Sequence, residues 1–98
     1  MEQINRIRKM ERKLNLALKA VRRLEVALNQ FEMMQSDINE LDEYYGSEEW
    51  KADRAADEAG QLPPGLKRGV LSEDAIWNLL ADNKDLLHRL NIDLNKNL

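Results

Sequence analysis

No cysteine occurs among the 98 residues. Disulfides, thiolate zinc sites and cysteine nucleophiles are thereby excluded together. Histidine occurs once, so a typical zinc site has no second imidazole to use. Only two prolines and four glycines are present, and all but Gly46 lie between Gly60 and Gly69. Long stretches are therefore free to run as uninterrupted helices. No apolar run exceeds three residues, so neither a membrane span nor a signal-peptide core can be placed, and a cytoplasmic location is expected. The reading implies no membrane contact.

What the chain does have is charge, unevenly spread. The net charge of −3 conceals eight Lys/Arg and two Glu over residues 1–23, a balance of +6. Residues 24–62 carry two basic and eleven acidic side chains, a balance of −9, and residues 63–98 carry five of each. A chain of this length suits one domain, 1–98, with a core that is marginal unless it oligomerises.

From Ile4 to Tyr45 the pattern is that of one long helix. Ile7, Leu14, Val21 and Leu28 recur every seven residues, and Met10, Ala17, Leu24, Phe31, Ile38 and Tyr45 form a second series offset by three. Together they make the seam of a coiled coil, which Leu18, Met34 and Leu41 widen into a stripe. Gly46 stops this helix and Ser47 caps a short second one, about 48–59, with Glu48 and Glu49 in its first turn. Ala52, Ala55, Ala56 and Ala59 share one face of it, and Trp50 is its one large anchor. A connector over 60–71 contains Pro63-Pro64-Gly65, after which Ser72 caps a third helix, about 73–90. Ile76, Leu79, Leu80, Leu87 and Leu90 form its apolar face, with Trp77 and Leu86 at the flanks, and the tail 91–98 is expected to fray. Asn83 lies within that face, either at its edge or as a buried register-setting polar residue. The fold class is all-α: a long amphipathic helix, a short connector helix and a C-terminal helix packing back as a helical hairpin or bundle. Its expected core anchors are Trp50, Trp77, Ile76, Leu80 and Leu87.

The segments Tyr44-Tyr45-Gly46-Ser47-Glu48-Glu49-Trp50, Ala56-Asp57-Glu58-Ala59-Gly60 and Leu66-Lys67-Arg68-Gly69-Val70-Leu71-Ser72-Glu73-Asp74 carry a resemblance. The chain resembles the bacterial domain of unknown function family 4298, from the first helix to about Leu90. The resemblance implies a bacterial source and a mostly helical fold, and it brings no activity, substrate or catalytic residue.

The residues themselves show no catalytic constellation, and no enzyme activity is expected. Gly65-Leu66-Lys67-Arg68-Gly69 lacks the spacing of a phosphate-cradling loop and follows no strand. His88 belongs on the surface or flank of the third helix. Glu49, Asp53 and Asp57 share a helix face, but in a row rather than around a point, which suits a solvated or ion-paired face better than a hard cation. No metal and no cofactor are expected.

Arg6, Arg8, Lys9, Arg12, Lys13, Lys19, Arg22 and Arg23 cover the polar side of the first half-helix. They could hold phosphates, which makes a small nucleic-acid-associated protein the alternative reading. Against it stand a pI of about 5.2, no interleaved aromatics and an acidic neighbouring surface. A helix running basic to acidic opposes its own dipole, and becomes self-complementary when paired antiparallel with a second copy. Arg6, Lys9 and Lys13 then approach Glu43, Glu40 and Asp37 of the partner.

Coverage points the same way. About forty residues of helix extend roughly 60 Å, whereas the second and third helices supply roughly 18 and 27 Å. The expectation is a homodimer whose interface includes Ile7, Leu14, Val21, Leu24, Leu28 and Phe31. A bend near Asn29 or Gln35 would instead let one chain cover itself. The expected role is a self-associating structural or protein-interaction module, with a further protein partner unidentified.

Overall fold

The computed structural model describes residues 1–96, with side chains described through Asn91. It contains α1 (Glu2–Met33), α2 (Gln35–Tyr44), α3 (Glu48–Glu58) and α4 (Ala75–Lys96), with a single 3-10 turn at Gly69–Leu71 and no strand among the described residues. The protein is all-α. Residue contacts group the chain into two compact units, Met1–Gln35 and Ser36–Leu98.

The expected first helix is interrupted once, at Met34, inside the region where a bend was the alternative to a continuous rod. Beside the interruption the Gln35 side chain donates Nε2–H to Phe31 O at 3.1 Å, and a side chain inserted into the ladder is one cause of a local irregularity in a helix. Met34 itself keeps helical angles, φ −83° and ψ −6°, and its N–H bonds Gln30 O.

The boundaries of α3 follow its capping residues. The Ser47 hydroxyl accepts from the Trp50 N–H at 3.1 Å, satisfying one of the donors that a helix start leaves open. At the other end Gly60 takes φ +70°, the Gly60 N–H bonds Asp57 O and the Gln61 N–H bonds Ala56 O. This pair of bonds is the Schellman closure, which needs a left-handed residue. Gly46 also takes a left-handed φ, +78°, after α2, where the Ser47 N–H bonds Tyr44 O.

The third expected helix is shorter at its start and longer at its end. The 3-10 turn occupies the end of the connector, and regular α-helix begins at Ala75. Ser72 still acts as its cap, accepting from the Ala75 N–H at 3.2 Å. α4 continues to Lys96, past Asn91, where fraying was expected; the last two residues of that expected tail lie outside the described residues.

A Cβ at Gly46 or Gly60 would meet no atom within 4 Å, so substitution there acts through the backbone alone. Gly60→Ala should therefore lower unfolding stability by roughly 1–2 kcal/mol, the penalty of a left-handed non-glycine residue. Gly69→Ala, also in open space and without positive φ, should be close to neutral. Urea denaturation of the two variants checks the contrast.

Candidate interaction surface

Two regions carry chemistry. In the C-terminal unit the first is a clasp around Trp50, which is 8% exposed. The α2–α3 turn brings Tyr45 edge-on to the indole, with ring centroids 5.0 Å apart and planes at 62°. One helical turn beyond Trp50, the Arg54 guanidinium lies 5.3 Å from the ring centroid. The indole N–H donates to Val70 O at 2.9 Å, so the buried donor is satisfied by the 3-10 turn.

Polar bonds lock the same elements. Tyr45 donates its hydroxyl to Glu73 O at 3.1 Å, and Arg54 Nη2 lies 2.6 Å from Glu73 Oε1. Arg68 pairs with Asp57, and Tyr44 donates its hydroxyl to Asp53 Oδ2 at 2.7 Å. The Arg54 guanidinium holds the Glu73 carboxyl below its usual range, chiefly through their hydrogen bond. That contribution is present above the ordinary carboxylate pKa and disappears as pH falls through the depressed one. Both groups are solvated, so it is small.

The acidic row expected on α3 is thus divided among partners: Asp53 takes Tyr44 and Asp57 takes Arg68. No group of three or more His, Cys, Asp or Glu side chains that could hold a metal forms among the described residues.

Of the expected anchors, Trp50 and Ile76 are buried and Leu80 is half-buried. Trp77 is a correction: it is 62% exposed. Neighbouring helix positions point about 100° apart, and Ile76 takes the inward direction. Leu87 is a second correction and is exposed. It lies about three turns along α4 from Ile76, whereas the 3-10 turn that α4 packs against is anchored beside the helix start by Ser72 and Val70. Leu71 and Ile38, absent from the expected anchors, are buried. Ile38 belongs to the heptad series, but Leu71 has no periodic signal because it sits in a three-residue turn.

The second region is α1, in which no residue is buried. Of the six expected interface residues, Ile7, Leu14, Val21 and Leu24 are 51–65% exposed, and Leu28 and Phe31 are half-buried. Ile4, Met10 and Leu18 extend the exposed stripe. All eight Lys/Arg of α1, including Arg6, Lys9 and Lys13, are exposed, and among the described residues none takes part in an ion pair. A shallow groove bounded by Lys19, Arg22, Arg23, Val26, Ala27 and Gln30 lies on the same helix and has only this helix for its walls.

Residues 7–92 match the family described as a domain of unknown function, DUF4298. The chain belongs to this family. No curated protein and no solved structure matches it. The three segments that carried the resemblance in the sequence are joined in this unit: Tyr45 of the first packs on Trp50, to which Val70 of the third also bonds, and Asp57 of the second pairs with Arg68 of the third.

Trp50→Ala removes a buried aromatic, its hydrogen bond and two ring contacts, and should cost roughly 3–5 kcal/mol. Trp77→Ala should stay within about 0.5 kcal/mol of the wild type. Chemical denaturation of both variants measures the difference.

The Tyr44 phenol is pushed up from 10.0 to about 12, first by its hydrogen bond to Asp53, then by burial and by the charges of Asp53 and Glu49. Only the protonated phenol donates, so this bond stabilises the fold below about pH 10 and is lost as pH rises through about 12. In a Tyr45→Phe background, absorbance at about 295 nm should show Tyr44 ionising near the upper value. A midpoint near the ordinary tyrosine value of about 10 would mean the bond is absent in solution.

Proposed function

We propose that this DUF4298 protein is a non-enzymatic, cytoplasmic, self-associating structural or protein-interaction module of bacterial origin, and that a second copy covers α1 in a coiled-coil homodimer. One observation carries the reading: a helix of 32 residues presents a continuous apolar stripe with no buried residue. Contiguous exposed apolar surface of this kind is characteristic of an interface. Burying the remaining half of a seam side chain contributes roughly 1 kcal/mol. Four such residues per copy are comparable with the free energy lost on association, so stable pairing uses the whole stripe, including Ile4, Met10 and Leu18.

The composition supports absence of catalysis as part of this reading: no cysteine, one histidine, and two α3 carboxylates already engaged by Tyr44 and Arg68. No helix among the described residues is long and apolar enough to cross a membrane.

A nucleic-acid reading rests on the eight Lys/Arg of α1, which form no ion pair among the described residues. It does not use the apolar stripe, and it requires affinity that falls steeply with salt.

Multi-angle light scattering at micromolar concentration tests the proposal. A mass near twice 11.4 kDa is expected, and a mass of 11.4 kDa at all accessible concentrations would contradict it. Leu14→Glu with Val21→Glu, placing charges in the seam, should return the protein to a monomer while leaving the fluorescence of buried Trp50 unchanged.

A further inference from the structure

Within α1 the apolar stripe fixes a heptad numbering. The series beginning at Ile7 occupies position a, and the series beginning three residues later at Met10 occupies position d. The positions that flank this seam, e on one side and g on the other, differ in charge. Position e holds Glu11, Glu25 and Glu32, and position g holds Arg6 and Lys13. The remaining flank places of α1 are apolar: Ile4, Leu18, Ala20 and Ala27. Acids therefore line one flank and bases the other. All five charged flank residues are exposed, and none takes part in an ion pair among the described residues.

Resting on the self-association proposed above, we infer that the second copy on α1 runs parallel and in register, with Arg6 of each copy beside Glu11 of the other. Across a parallel seam, position g faces position e of the following heptad, and these pairs set partner orientation. The two-fold symmetry makes the Arg6–Glu11 contact twice. At the other places Lys13 meets Leu18, Ala20 meets Glu25 and Ala27 meets Glu32. No like charges face each other.

An antiparallel pair of the same helices matches a to d, and so brings e to e and g to g. At full overlap Ile7 lies opposite Phe31, and Glu11 then meets Glu25 twice, while Arg6 and Lys13 meet no acid. The other bases of α1 stand at positions b, c and f, which point away from a partner. In a parallel pair they lie farther apart than the helix axes, themselves about 8–10 Å apart. A screening length of about 8 Å at physiological salt removes most of their repulsion. Helix dipoles favour the antiparallel order, but they act only within the first and last turns. The antiparallel pairing expected from the sequence draws on Lys9, Asp37, Glu40 and Glu43, none of which flanks the seam.

Two measurements on the full chain test the direction. Nitroxide labels on Asn5→Cys, the one cysteine of that variant, should lie close together in the dimer, across helices about 8–10 Å apart. Antiparallel copies at full overlap would place them roughly 40 Å apart along the pair, and pulsed electron spin resonance reads the distance. Ala20→Lys with Ala27→Lys supplies cations opposite Glu25 and Glu32 of the partner. Four new pairs form in a parallel dimer, so sedimentation equilibrium should show the Kd falling by about tenfold. In an antiparallel dimer the new cation at position 20 faces its own copy and the one at 27 faces Lys13, and the Kd rises. A wide label separation, or a Kd that rises or stays unchanged, would overturn the inference. Circular dichroism reports whether the helices persist, and the labels decide the direction if the lysine variant loses helix. A wild-type protein that is monomeric throughout would refute the self-association itself, whereas a dimer with widely separated labels would refute only its direction.

Discussion

The packing of Trp50 organises the C-terminal unit. The indole is the largest side chain that the described chain buries, and it touches elements from three separate stretches of sequence. Tyr45 arrives from the turn after α2, Arg54 from α3 and Val70 from the 3-10 turn, and Glu73 ties both Tyr45 and Arg54 to the approach of α4. Two left-handed glycines make the reversals sharp enough for these stretches to meet. In a chain with five aromatic residues, one well-placed tryptophan provides much of what a larger domain would draw from several apolar layers.

α1 belongs to the other unit and has no buried residue. The buried hydrophobic residues, Ile38, Trp50, Leu71 and Ile76, all lie in the C-terminal unit. The longest helix of the chain contributes nothing to a core, although it carries the most regular apolar pattern. A long helix has some intrinsic stability of its own, but most helical stability in proteins comes from packing an apolar face. The exposed stripe of α1 is the feature on which the proposed self-association rests.

Helices and their limits were legible in the sequence because the signals are local. Ser47, Gly46, Gly60 and Ser72 act as caps and stops through hydrogen bonds within a few residues, and each does so in the structure. The heptad series marked the apolar face of α1. The break at Met34 was legible only as an alternative, since neither glycine nor proline marks it in the sequence. The clasp was not legible, because Trp50–Val70, Arg54–Glu73 and Arg68–Asp57 join residues 11 to 20 apart across a proline-containing connector. Periodicity also gave Trp77 and Leu87 more credit than packing allows: a helical face shows which residues could be buried together, not how far along the helix a neighbour extends.

The central claim is that α1 owes its protection to a second copy and the C-terminal unit does not. Amide hydrogen exchange followed across a dilution series tests it directly. The account predicts that amides of residues 4–28 are protected at high micromolar concentration and exchange progressively faster on dilution, while those of α3 around Trp50 keep their protection throughout. Protection of α1 that is the same at every concentration would contradict the account.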